Sequence, residues 1–307
     1  MKSLRRAPSQ FTLIGTSIYD DSVAPAFCDL FELAPHTSNL EYIPWLCGII
    51  AKHKVDLIIP GINDDVLKWN KSRNELLAAG TELLLNNPEL IELCADKWLF
   101  YQKLRTEGSK YTIESRLEGT FDDLASAYGL PFLLKPRQGF ASKGIVIVDS
   151  EDVFTRYKTN VGAALMAQPI VGDRQNEYSI SAFFDKDSKL HSLMGLRRTL
   201  AKEGFTQRAV VDMPTHAEEV IQDLSALLKP VGPTNFQFRL HKGELKLLEI
   251  NPRISSATSI RTAFGYNESR MAVDYFLSGT VPNPPVIRQG HAVRYTEDWI
   301  TYDSDCV

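Results

Sequence analysis

Residues 232–256, GPTNFQFRLHKGELKLLEINPRISS, constrain the fold of this 307-residue chain more than any other stretch. Asn235 to Leu240 alternates polar and apolar side chains, His241-Lys242-Gly243 carries turn chemistry, and Glu244 to Ile250 returns as a largely apolar strand. A period of two on either side of a glycine turn predicts a β-hairpin. Glu249 and Asn251 lie two apart on the return strand and so share a face, and Gln237 on the partner strand joins them across the ladder. Carboxylate and amide oxygens converging on one face make a hard-cation site, of the kind that holds Mg²⁺ (or Mn²⁺) against phosphates. Pro252 ends the strand and Arg253 follows, a fixed positive charge beside that site. A metal and an arginine at one spot suit phosphoryl transfer, where the protein's work is positioning and charge neutralisation.

A lone Glu-x-Asn on a hairpin is more often the solvated edge of a sheet. Here the run Leu245 to Arg253 resembles the metal-binding E-[IMV]-N-P-R signature of ATP-grasp enzymes, especially the carbamoyl-phosphate-synthase-like branch. That resemblance implies an ATP site upstream. Phe132-Leu133-Leu134-Lys135-Pro136 reads as a short strand ending in lysine, followed by the loop Arg137 to Gly144 and a second strand, Ile145 to Val148. Small residues in such a loop let backbone N–H groups approach phosphate oxygens, although a plain hairpin turn fits the same residues. It is not a P-loop, because no G-K-[ST] opens a helix. The layout resembles the ATP-grasp flap, which implies that Lys135 contacts the α-phosphate while Gly139, Ala141, Ser142, Lys143 and Gly144 cover the outer phosphates. Phe140 and Lys143 depart from the family's glycine- and serine-rich loop.

Asp96 is a plausible N-cap for a helix from Trp98 to Glu107. The resemblance gives Lys97 the role of the first phosphate-binding lysine. Between two further strands, Gln168-Pro169-Ile170 matches the hinge that reads adenine, and Glu177 matches the carboxylate that binds ribose. Gln168 stands where most relatives carry Glu; an amide keeps the acceptor and adds a donor.

Composition excludes more than it identifies. Hydrophobic content of 44% and charged content of 23% are ordinary for a globular protein. A net charge of −4 argues against nucleic acid as a principal partner. Cys28, Cys47, Cys94 and Cys306 form no C-x-x-C, so reduced thiols in a cytoplasmic protein are the economical reading. No signal peptide and no apolar run of about 18 residues is evident, so no membrane partner is expected.

Residues 1–95 alternate strands and helices: a strand at Phe11–Ile18, a helix at Tyr42–His53, a strand at Val55–Gly61, one helix at Asp64–Ala79, a strand at Leu83–Leu85 and a helix at Pro88–Cys94. This pattern implies α/β layering with a parallel sheet. It resembles the Rossmann-like domain that precedes ATP-grasp lobes, except that MKSLRRAPSQ starts inside what would be its first helix. A missing first strand would expose a sheet edge and raise the expectation of a homodimer or of an incomplete start. The α+β ATP-grasp reading continues with a small lobe over residues 96–169 and a large lobe over residues 170–307. The large lobe is expected to hold helices at His216–Lys229 and at about Ser259–Ser278, with a closing strand from Ala292.

The implied chemistry is ATP-dependent activation of a small-molecule carboxylate as an acyl phosphate, then transfer to an amine with release of ADP. Lys97, Lys135 and Mg²⁺ would spread the developing charge and Arg253 would hold the transferred phosphoryl group. Arg197, Arg198 and Arg261 are candidates for clamping a substrate carboxylate. Two other readings stay open: a carbamate- or bicarbonate-phosphorylating synthase-like subunit, and an ATP-binding module without catalysis.

Overall fold

The computed structural model describes residues 1–5, 11–139 and 143–300. A helical turn, α1 (Lys2–Arg5), precedes a parallel pair made by β1 (Ile14–Ser17) and β2 (Leu30–Leu33). Of the opening residues MKSLRRAPSQ, which were expected to be helical, Lys2–Arg5 are so. Thr262 Oγ1 donates to Ser3 Oγ at 3.0 Å and Asn267 Nδ2 to the Ser3 carbonyl at 2.8 Å, docking α1 on the C-terminal helices.

Helix α2 (Tyr42–His53) occupies its expected span and stops at Lys54, whose φ of 51° is left-handed. The expected strand at Val55–Gly61 shortens to β3 (Leu57–Ile58), closed off by Pro60 and Gly61. The expected single helix after it is two, α3 (Asn63–Lys71) and α4 (Arg73–Ala78), separated at Ser72 with φ −104° and ψ 19°. Arg73 anchors the second piece by donating to the Asn86 carbonyl at 2.8 Å. Strand β4 (Glu82–Leu83) pairs parallel with β3. Asn87 and Pro88 then start α5 (Pro88–Ala95), the Asn87 side chain accepting from Glu89 N as an N-cap. Asp96 caps α6 (Lys97–Thr106) by accepting from Trp98 N and Leu99 N. Tyr42, Leu46, Ile50, Trp69, Leu76 and Ile91 fill this unit's core.

The small lobe contains α7 (Phe121–Tyr128), opened by a capping box between Thr120 and Asp123. It continues with β5 (Phe132–Pro136), β6 (Val146–Val148), α8 (Glu151–Tyr157) and β7 (Leu165–Pro169). Its strands form an antiparallel sheet ordered β6-β5-β7 over Leu124, Phe132, Leu134 and Phe154.

The large lobe is built from β8 (Glu177–Phe184), β9 (Leu190–Leu200), β10 (Thr206–Val211), α9 (Ala217–Leu228), β11 (Gly232–His241), β12 (Glu244–Asn251), α10 (Thr258–Ala263), α11 (Glu268–Ser278) and β13 (His291–Val293). Its antiparallel sheet runs β12-β11-β8-β9-β10-β13. The β11–β12 hairpin turns on Lys242 and Gly243, with φ of 51° and 82°; positive φ at both central residues is the geometry that matches strand twist. Register shifts after Gln237, so Gln237 faces Glu249 while Phe238 faces Leu247, and Leu248 is the bulged residue. One face of the sheet packs Ile180, Phe236, Phe238 and Leu247 against Ile221 and Leu224 of α9 and Leu104 of α6. The opposite face carries Glu177, Ser179, Asn235, Gln237 and Arg198.

The expected long helix from Ser259 is broken between α10 and α11. Gly265 sits at φ +100°, and a Cβ there would lie 2.2 Å from the Val286 carbonyl oxygen, so the break takes glycine. No helix among the described residues is long and apolar enough to cross a membrane.

Candidate active site

A cleft of about 490 Å³ opens between the small lobe, the edge of the large sheet and the first unit. Lys97, Lys135, Gln138, Gly139, Gln168, Glu249 and Asn251 line it, together with the apolar side chains of Ile113, Met166 and Leu248. Local structure explains how the charged groups arrive. Lys97 opens α6 directly after the Asp96 cap, and its Nζ donates to the Gly139 carbonyl at 2.6 Å. Its backbone N–H donates to Arg137 O at 2.8 Å, and Arg137 pairs with Asp96 at 2.7 Å, so the helix start and the flap are tied together. Burial raises the Asp96 carboxyl, but the Arg137 guanidinium and the N–H groups of Trp98 and Leu99 bring it below its ordinary value.

Lys135 is the last residue but one of β5, buried, with Nζ donating to the Leu248 carbonyl at 3.3 Å. Burial pulls its ammonium down to about 8, opposed by the charge of Glu249 and helped by Lys97. Lys97 is lowered too, again by burial, with Glu249 and Asp96 opposing. Two half-desolvated cations beside one carboxylate favour an anionic ligand that supplies the missing negative charge. Burial also pushes up the thiol of Cys94, which lines the same cleft.

Glu249 and Asn251 share the cleft as the hairpin predicted, and Asn251 Nδ2 donates to Glu249 Oε1 at 3.2 Å. Gln237 lies opposite Glu249 in the ladder, but its Oε1 accepts from Arg198 Nη2 at 2.7 Å and it does not line the cleft. Of the three residues expected to hold a metal, Glu249 and Asn251 line the cleft and Gln237 does not. Among the described residues there is no group of three His, Cys, Asp or Glu side chains placed to hold a metal. One carboxylate and one amide are hard oxygen donors of low total charge. Such a pair fits Mg²⁺, which keeps most of its shell as water or substrate phosphate.

Arg253 does not itself line the cleft; it follows Pro252, which does, and is positioned by three acceptors. Its Nε donates to Asn63 Oδ1, its Nη1 to the Ile254 carbonyl at 2.9 Å and its Nη2 to Asn251 Oδ1 at 3.3 Å.

Other expected residues fall elsewhere. Gln168 lines the cleft and donates to Ser115 Oγ at 3.0 Å. Pro169 ends β7, and Ile170 is half-exposed outside the cleft lining. Glu177, expected at the ribose, is buried and holds Arg198 at 3.0 Å and Arg239 at 3.1 Å instead. The three arginines expected to clamp substrate do not open on the cleft. Arg197 pairs with Asp212 at 3.0 Å, and Arg198 is spent on Glu177 and Gln237. Arg261 is 0% exposed and donates to Ser179 O, Ser179 Oγ and Asn235 Oδ1 at 2.9–3.1 Å, with Glu268 3.6 Å away. Ala141 and Ser142, with Phe140, lie outside the described residues; Lys143 and Gly144 are exposed.

Residues that the sequence reading passed over also line the cleft: Asn63, Asp64 and Lys71 from the first unit, and Tyr101 and Met166. Asn63 carried a usable signal, because it follows the carboxyl end of a parallel strand, where α/β folds place ligands.

A sequence model described as ATP-grasp in the biosynthetic pathway with Ter operon matches residues 164–299. A carbamoyl phosphate synthase large chain from Thermomicrobium roseum is 25% identical over 201 residues, covering 59% of this chain but 18% of that protein. Among solved structures, N5-carboxyaminoimidazole synthetase from Staphylococcus aureus complexed with ADP superposes with a TM-score of 0.73 at 16% identity, covering 93% of this chain and 75% of that one. Biotin carboxylase from Campylobacter jejuni, in a β,γ-ATP complex, gives 0.72 at 14% identity, over 94% and 70%. The fold is the ATP-grasp fold. Residues 164–299 match an ATP-grasp family model, and the chain is similar in sequence to part of carbamoyl phosphate synthase large chains.

Proposed function

We propose that this chain is an ATP-dependent, ADP-forming ligase that activates a carboxylate as an acyl phosphate and joins it to an amine. The observation that carries the reading is the convergence of Lys97, Lys135, Gln168, Glu249 and Asn251 on one cleft, with Arg253 bonded to Asn251 at its margin. Adenine would occupy the apolar part beside Gln168, and the phosphates the part bounded by the two lysines and Gly139. Mg²⁺ held by Glu249 and Asn251 would neutralise phosphate charge. Lys97 and Lys135 offset the remainder, and Arg253 fixes the transferring group in line with the attacking oxygen. No side-chain nucleophile is needed. With Cys28, Cys47 and Cys94 all unpaired, we place the protein in the cytoplasm.

A second reading, phosphorylation of bicarbonate or carbamate, draws on the relationship to carbamoyl phosphate synthase large chains. ADP release measured against bicarbonate, amino acids and other carboxylates, singly and in pairs, separates the readings. Stimulation by a carboxylate–amine pair supports the ligase, and stimulation by bicarbonate alone supports the second reading. Silence across the panel at saturating Mg²⁺ would leave an ATP-binding module without catalysis.

Lys135 sets a pH dependence. Its proton is held to about 8 in the free protein, against an ordinary value of 10.5. Bound phosphate stabilises the ammonium, so nucleotide affinity should weaken above that pH, by at most about tenfold per pH unit. Calorimetric titration with ATP from pH 7 to 9.5 should show this slope in the parent chain and a flatter one in Lys135→Met. Equal slopes in both would remove Lys135 from the phosphate site. Stability runs the other way: from about 8 to 10.5 the unfolded lysine holds a proton that the folded one has lost, so stability rises with pH there.

A further inference from the structure

We propose that Asn63 is a positioning residue for the reaction, holding the Arg253 guanidinium in register with the phosphoryl group from a platform in the first unit. The inference rests on the ligase reading, in which Arg253 touches the transferring group.

Arg253 sits in the loop after β12, beyond Pro252, and its own strand supplies only part of its orientation. A guanidinium has five N–H donors in a fixed plane. Three are used: Nε on Asn63 Oδ1, one Nη1 hydrogen on the Ile254 carbonyl, and one Nη2 hydrogen on Asn251 Oδ1. Two donors remain for an anion. The Ile254 and Asn251 contacts come from residues one and two positions away and move with the loop. The Asn63 contact spans 190 residues and is the one that ties the fork to a separate body.

That body is rigid for reasons independent of Arg253. Asn63 is the first residue of α3, which follows β3 through the short connection Ile59 to Ile62. Two residues on, Asp65 Oδ1 accepts from Thr37 Oγ1 at 2.8 Å and from the Tyr42 hydroxyl at 2.9 Å. The Tyr42 oxygen in turn accepts from Trp69 Nε1 at 3.2 Å. Tyr42 and Trp69 belong to the buried core of this unit, so the first turn of α3 is pinned to α2 and to itself. Asn63 presents its oxygen from that pinned turn, and Asn63 and Asp64 both line the cleft. A neutral amide suits this role, since it accepts from Nε without cancelling the charge that Arg253 brings to the phosphoryl group. The consequence is that the first unit, which lines one side of the cleft, also sets the competence of the phosphoryl-transfer arginine.

The test is a double-mutant cycle on ADP release, with the most stimulating substrate pair of the panel above and melting temperature as a fold control. Asn63→Ala should lower kcat roughly 10- to 100-fold, since small misplacement of a catalytic group costs on that order, with KM for ATP within about twofold of the parent. In an Arg253→Ala background the same substitution should cost less than about twofold, because its effect passes through that arginine. Asn63→Gln, which keeps a neutral amide oxygen, should recover part of the rate lost in Asn63→Ala. Multiplicative losses in the double mutant, or unchanged kcat in Asn63→Ala, would overturn the proposal. A parent chain that releases no ADP under any pair would overturn the ligase reading first, and this inference with it.

Discussion

Glu249→Gln is expected to lower ADP release by at least about 10²-fold while the protein stays folded. Glutamine keeps the size and one oxygen but removes the one carboxylate whose charge acts on both Lys97 and Lys135. A hard cation bound by a single carboxylate and an amide loses most of its protein-derived attraction when that charge goes. Removal of one preorganised charge-stabilising group typically costs on the order of 10²–10³ in rate. The hairpin should survive, because the core side of β12 is carried by Leu245, Leu247 and Ile250. Asn251→Ala is the less clean experiment, since it also removes an acceptor from Arg253. Assays belong at pH 7, because losing Glu249 lets burial lower Lys135 further, and at pH 8 a neutral lysine would confuse the outcome. The measurement is ADP release at saturating Mg²⁺ beside a melting curve. Turnover near the parent level with an intact melt would remove Glu249 from the metal site.

What could be read from the sequence follows the range of the interactions involved. The β11–β12 hairpin was legible because its information is local: period two on each side and Lys242-Gly243 at the turn. The pairing of Glu249 with Asn251 on one face follows from that period alone. The same locality explains the capped start of α6, where Asp96 and Lys97 are neighbours in sequence. The bulge at Leu248 was not legible, since it arises from register between two strands rather than from either one. Helix breaks at Ser72 and Gly265 depend on what the turn meets, the Asn86 carbonyl in one case and the Val286 carbonyl in the other.

Arginine partners were the least legible. Arg198 reaches Glu177 and Gln237 only because the sheet is ordered β11-β8-β9, and nothing within strand β9 announces its neighbour. A family signature located residues such as Glu249 and Lys135, which the fold brings to one cleft. It does not say whether Glu177 will meet a ribose or two guanidiniums.

Arg261 provides the second large effect, and it falls on stability. Arg261→Leu should destabilise the fold by about 3–5 kcal/mol, the usual cost of removing one member of a buried ion pair. Glu268 would then be left in the interior, fully buried, with the Ser181 hydroxyl as its hydrogen-bond donor and only the more distant charge of Arg253 to offset its own. Against a typical total of about 5–15 kcal/mol, that loss is visible as a large drop in melting temperature. Arg261→Met combined with Glu268→Gln should recover most of it, because the pair's attraction roughly offsets its desolvation and only the unpaired charge is expensive. Ser179 and Asn235 retain each other at 2.7 Å in either variant, so the polar face of the sheet keeps part of its network. ATP affinity, measured below the melting transition, should stay near the parent value, since Arg261 does not line the cleft. If Arg261 instead clamped a substrate carboxylate, the single mutant would melt normally, KM for the carboxylate would rise, and the double mutant would rescue nothing. Full burial and the contacts with Ser179, Asn235 and Glu268 favour the structural outcome, and the paired melting curves decide it.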